Sequence, residues 1–161
     1  MEDHVALAEQ GEVAEAFLAG LLERVSSPAG ISVSVAEEDE LVNLAVDGEN
    51  LGHLIGPRGS TLQALQELTR TVVQRKTGAR NGRIIVDVAR YREKRREALE
   101  RFTQQVAAEV ISSGKPKSLE SMNPADRKTV HDVAGSIDGV ETTSEGEEPR
   151  RRVVIKPSGS A

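Results

Sequence analysis

Leu54-Ile55-Gly56-Pro57-Arg58-Gly59-Ser60-Thr61-Leu62 is the segment from which the rest of this chain is best understood. Two glycines bracket Pro57 and Arg58, an apolar pair leads in, and a leucine-rich run leads out. Leu62, Leu65, Leu68, Thr69, Val72 and Val73 trace one face of a helix reaching Lys76, and Thr77-Gly78 supplies its stop. A glycine turn that opens a helix has two uses. It relieves backbone strain where the chain reverses. It also lets a sugar-phosphate backbone approach the unpaired amides of the first helical turn, with Arg58 adding a positive charge. The spacing alone leaves both open.

Upstream, Ile31, Val33 and Val35 alternate with small or polar residues, as do Val42, Leu44 and Val46, and Glu37-Glu38-Asp39-Glu40 stands between them. That pattern predicts a β-hairpin. Before it, His4–Val25 has Val13, Phe17, Leu21 and Val25 at four-residue steps beside Leu18 and Leu22, which predicts an amphipathic helix. Downstream, Ile84, Val86 and Val88 predict a third strand, giving an α-β-β-α-β order over the first ninety residues.

A second unit is expected from Tyr91. Tyr91–Ser113 is one helix with Leu99, Phe102, Val106 and Val110 as its buried stripe, ended by Gly114 and Pro116. Lys117–Met122 is a short strand. Asn123-Pro124-Ala125-Asp126 starts a helix, with Asn as cap and Pro at the first helical position. Val130, Val133, Ala134 and Ile137 form its apolar face. Val140–Ser144 and Arg151–Ile155 read as a terminal hairpin, followed by a tail. The expected division is 1–90, 91–157 and a disordered tail at 158–161, an α+β chain of two small domains.

Charge is distributed unevenly over the 161 residues, whose formal net charge is −5. Residues 1–53 hold one basic and twelve acidic side chains, residues 54–104 twelve basic and five acidic, and residues 105–161 eight basic and nine acidic. The glycine turn heads the basic block, so the negative total does not exclude a nucleic-acid partner. Only Phe17, Tyr91 and Phe102 are aromatic, which argues against recognition by base stacking and favours a backbone clamp. The absence of cysteine excludes disulfides and thiolate chemistry.

With these residues in view, Leu54–Leu62 resembles the I-G-x-x-G-x-x-L core of the KH domain family, and the element order is similar to its type II arrangement. The resemblance implies that Gly56, Pro57, Arg58, Gly59 and Ser60 hold about four nucleotides of single-stranded nucleic acid. The neighbouring groove would be walled by the Leu62–Val73 helix and the Ile84–Val88 strand.

Arg127-Lys128-Thr129-Val130-His131 sets Arg127 and His131 four residues apart, about 40° around a helix at about 100° per residue. They flank the apolar stripe, and an outward-aimed pair there suits phosphate: arginine forks onto its oxygens and histidine donates once more. A surface arginine beside a half-buried histidine satisfied by the fold is the other reading of this spacing. Ser121–His131 resembles the R-three-H domain, named for its Arg-x-x-x-His. A KH domain followed by that domain is similar to the bacterial Jag (SpoIIIJ-associated, KhpB/EloR-like) family. Since Met1 leads straight into the KH helix, a short form without the additional N-terminal domain of longer Jag proteins is expected.

The resemblance implies a non-enzymatic, cytoplasmic protein that binds single-stranded RNA at the glycine loop and at Arg127, Lys128 and His131. Arg83, Arg95 and Arg96 would extend the basic track. It implies post-transcriptional regulation or RNA-chaperone activity tied to cell-envelope growth and shape, and a small single-KH-domain protein as partner. Single-stranded DNA binding is the alternative, as is an adaptor that has lost nucleic-acid binding. His4, His53 and His131 show no metal spacing. No catalytic constellation, metal site, cofactor or membrane insertion is expected.

Overall fold

The computed structural model describes residues 5–25, 27–78 and 82–159. The chain forms two compact units, one up to Tyr91 and one from Arg92. The expected helix start at His4 and the end of the expected tail, 160–161, lie outside the described residues.

In the first unit α1 (Leu7–Arg24) precedes a hairpin of β1 (Ala29–Ala36) and β2 (Leu41–Gly48). A one-turn helix, α2 (Gly52–Ile55), and a 3₁₀ turn (Pro57–Gly59) lead into α3 (Ser60–Thr77), and β3 (Arg83–Val88) follows. The sheet order is β1-β2-β3. β1 and β2 are antiparallel with Val33 opposite Leu44, and β3 runs parallel to β2 with Val86 opposite Leu44. A parallel neighbour needs a crossover, and α2 and α3 supply it. Val42, Leu44, Val46, Ile84, Val86 and Val88 therefore share one sheet face, and all are buried with Leu18, Leu62 and Val73.

Three expectations about helix faces are corrected. On α1 the buried face is Leu7, Gln10, Gly11, Ala14, Leu18 and Leu22, while Val13, Phe17 and Leu21 are only partly buried and Val25 is exposed. On α3 Leu62, Leu65, Thr69 and Val73 are buried, but Leu68 is 55% exposed. α4 (Tyr91–Ser113), which belongs to the second unit from Arg92 on, buries Leu99, Thr103, Val106, Ala107 and Val110, while Phe102 is 45% exposed. Relative to Leu99, Val106 and Val110 sit about 20° to either side, Thr103 about 40° and Phe102 about 60° the other way, at 3.6 residues per turn. Ala107, a further step on the Thr103 side, draws the buried face away from Phe102.

After α4 come β4 (Lys117–Ser121), α5 (Pro124–Gly135), β5 (Val140–Glu145) and β6 (Arg152–Pro157). Asn123 caps α5, its Oδ1 accepting from the Asp126 amide at 2.9 Å. β6 is the central strand of an antiparallel sheet ordered β4-β6-β5. It runs further than its apolar residues suggest: Pro157 stands opposite Val140, and the Ser158 amide donates to the Gly139 carbonyl at 3.0 Å. Lys156 to Ser158 thus belong to the fold. The core of this unit gathers Leu99, Val106, Val110, Val130, Val153 and Ile155.

Candidate functional site

The glycine loop is a run of left-handed backbone. Gly56 has φ 71° and ψ 178°, Arg58 has φ 53° and Gly59 has φ 78°. The Gly56 conformation is open essentially to glycine alone. Space confirms the choice: a Cβ on Gly56 would lie 2.2 Å from Thr61 Oγ1, and one on Gly59 would lie 2.7 Å from Tyr91 Cε1. Both glycines are therefore fixed by contacts inside the protein, before any ligand is considered. Gly59 is buried, while Pro57, Arg58 and Ser60 are exposed, so the loop shows its proline and arginine outward.

The start of α3 differs from that of α5. No side chain caps α3, and its first turn holds no acidic residue. The Asn123 cap and Asp126 serve both purposes at α5. The positive end of the α3 dipole thus lies beside exposed Arg58 with no side-chain cap and no acidic residue in its first turn.

His53 belongs to the support of this loop. Its Nδ1 stands 3.1 Å from the Asn50 carbonyl and its Nε2 2.7 Å from Ser27 Oγ. A carbonyl only accepts, so Nδ1 donates, and in the neutral ring Nε2 accepts from the serine hydroxyl. Along α3, Gln66 Oε1 accepts from the Val86 amide of edge strand β3 at 3.2 Å, tying together the two expected walls of the groove.

Arg127 and His131 share the face of α5 that the spacing requires, but not the outward aim. The Arg127 side chain is only 10% exposed, ion-paired with Glu148, and its Nη1 donates to the Met122 carbonyl at 2.7 Å. His131 is half-buried, with Nδ1 2.7 Å from Thr142 Oγ1 and Nε2 2.8 Å from Ser144 Oγ on β5. The pair is knit into the fold on the side facing β5 and the turn behind it. Lys128 is exposed and paired with Asp132 one turn on.

The expected basic track is likewise partly engaged. Arg95 grips Asp126 through Nε and Nη2 at 3.1 and 3.0 Å, fastening α4 to the first turn of α5. Arg96 pairs with Glu100 at 3.6 Å, and Arg83 is exposed at the start of β3. Tyr91, Thr61, Gln66 and Glu148 were not singled out from sequence. Of these only Tyr91 carries a signal, as an aromatic at the start of the helix that follows the third strand.

Among the described residues, no group of three or more His, Cys, Asp or Glu is placed to hold a metal ion. No helix among them is long and apolar enough to cross a membrane.

These two sites fall in two recognised domains. The KhpA/KhpB KH domain model matches residues 13–88, and the R-three-H domain model matches residues 97–157. The chain is thus a KH domain followed by an R-three-H domain. Its relatives include the RNA-binding protein KhpB of Clostridium symbiosum, 37% identical over 139 residues, which cover 86% of this chain and 62% of that protein. The RNA-binding protein KhpB of Bacillus subtilis is 33% identical over 144 residues, 88% of this chain and 68% of that protein. For KhpB of Streptococcus pneumoniae the match is 33% over 114 residues, 71% of this chain but only 34% of that longer protein. The chain belongs to the KhpB family.

Proposed function

We propose that this protein binds single-stranded RNA by its sugar-phosphate backbone and carries out no catalysis of its own. The first contact is the Gly56–Gly59 loop, with Pro57 and Arg58 facing the strand and Ser60 at the start of α3. The second is α5, where Lys128 is exposed and Arg127 and His131 lie beneath the surface. Two modest sites in one chain raise the effective concentration of each for a single strand. The observation that carries this reading is the uncapped start of α3 beside Arg58, in a segment that the KH model covers. The relatives named RNA-binding proteins support RNA over DNA as the ligand.

We further propose a cytoplasmic post-transcriptional regulator or RNA chaperone linked to envelope growth, as the family resemblance implies. A small single-KH-domain protein is its proposed partner.

The test is a titration of the full chain against matched single-stranded RNA and DNA over a range of salt. Affinity should fall as salt rises, because bound phosphates release counterions. Replacing both Pro57 and Arg58 by Asp should abolish most of it through like-charge repulsion. Unchanged binding by that variant, still folded, would sink the loop assignment. Equal affinity for DNA would remove the RNA preference.

A further inference from the structure

Tyr91 is the chain's one tyrosine, and its ring fills the space a side chain on residue 59 would need. From the position of a Gly59 Cβ, the ring's Cε1 is 2.7 Å away, and its Cζ and hydroxyl oxygen are each 3.2 Å away. The ring is partly buried and packs on the core of the first unit. It is brought there by an unusual piece of backbone. The Ala89 amide donates to the Val46 carbonyl at 2.9 Å, which ends the β2–β3 ladder. Ala89 and Arg90 then adopt φ of 50° and 55° in succession. Two consecutive left-handed non-glycine residues are unfavourable, and such a turn persists only where its surroundings fix it.

We propose that Tyr91 is a positioning residue for RNA binding: its ring is a rigid floor under Gly59 that holds the glycine loop in its binding shape. Resting on the proposed role of that loop, this deepens it. Gly59 is buried under this contact, while its neighbour Arg58 (φ 53°) is exposed. A preorganised loop loses less freedom when a strand binds, and that saving appears as affinity. The ring edge from Cε1 to the hydroxyl makes the contact, so removing the ring should release the loop.

The test uses the full chain and a labelled single-stranded RNA of mixed sequence. Tyr91→Ala should bind about tenfold more weakly than the parent, the scale of ordering costs at a binding surface. In an Arg58→Asp background, Tyr91→Ala should cause little further loss, because both act through one loop. A residue that only stabilised the fold would give independent, additive effects. A second measurement needs no substitution at Tyr91. In protein labelled with 3-fluorotyrosine the single tyrosine gives one fluorine resonance, which RNA should shift in the parent and not in Arg58→Asp.

If Arg58→Asp binds as tightly as the parent, the loop reading fails and the Tyr91 role falls with it. If Arg58→Asp weakens binding but Tyr91→Ala does not, the loop stands and the proposal is overturned. A fluorine signal unmoved by bound RNA also overturns it, and decides the matter if Tyr91→Ala fails to fold.

Discussion

Arg127 of α5 and Glu148, in the turn between β5 and β6, form an ion pair whose arginine is buried and whose glutamate is half in solvent, with side-chain exposures of 10% and 53%. A carboxylate sits on the guanidinium where the R-three-H reading would put a phosphate, so a strand that reaches Arg127 meets the competing charge of Glu148. Glu148→Gln keeps a neutral acceptor there but removes the competing charge. RNA affinity of this variant should rise a few-fold, and the salt dependence should steepen by about one phosphate contact. Unchanged affinity and slope would place the RNA away from Arg127. Arg127→Ala is the poorer probe. It strands the buried Met122 carbonyl and should cost about 1–3 kcal/mol of stability in urea unfolding, whatever it does to RNA.

Gly56→Ala should destabilise the first unit by about 1–3 kcal/mol, since φ 71° with ψ 178° is strained for any side chain and the new Cβ would meet Thr61. Chemical denaturation reads this directly. Loss of RNA binding in that variant would therefore not implicate the glycine in ligand contact. Charge changes at Pro57 and Arg58, both exposed, avoid the ambiguity.

Thr103 is fully buried on α4, and its hydroxyl finds no hydrogen-bond partner among the described residues. Thr103→Val replaces that hydroxyl by a methyl of similar size. It should raise stability by about 1 kcal/mol, the lower end of the cost of an unsatisfied buried polar group. A loss of stability on denaturation would show that the hydroxyl is satisfied after all.

Glu109 accepts a hydrogen bond from Lys117, and that bond, followed by the lysine's charge, holds its carboxyl below the ordinary glutamate range. A depressed carboxyl contributes stability above its unfolded-state pKa and loses it as pH falls through the folded value. The pair lies in solvent, so the effect on stability is small. An NMR titration of the Glu109 side chain should move up to the ordinary range in Lys117→Met.

The residues explain why element order was legible and faces were less so. Apolar alternation marks β2 and β3, and Gly78, Gly114 and Asn123 mark helix ends, because these signals are local. The buried face of α1 is not local. It includes Gly11, where a Cβ would stand 3.1 Å from Val33, and Gln10, which donates to the Val5 carbonyl and accepts from the Gly82 amide. Neither looks like a core residue until the sheet is in place. The same holds at the candidate site. Spacing puts Arg127 and His131 on one helical face, but only tertiary structure brings Glu148, Thr142 and Ser144 to them. The glycine loop was legible as a turn into a helix. Its two occupants, Thr61 and Tyr91, show that these glycines answer first to the protein's own packing.

Whether RNA enters at the Gly56–Gly59 loop is tested most directly by amide chemical-shift mapping with single-stranded RNA. The largest changes should fall on Gly56, Arg58 to Leu62 and the facing residues of β3, with a smaller set on α5 around Lys128. Saturable binding that leaves the Gly56–Leu62 amides unmoved, or moves chiefly the acidic α1 and β1–β2 turn, would contradict entry at the loop.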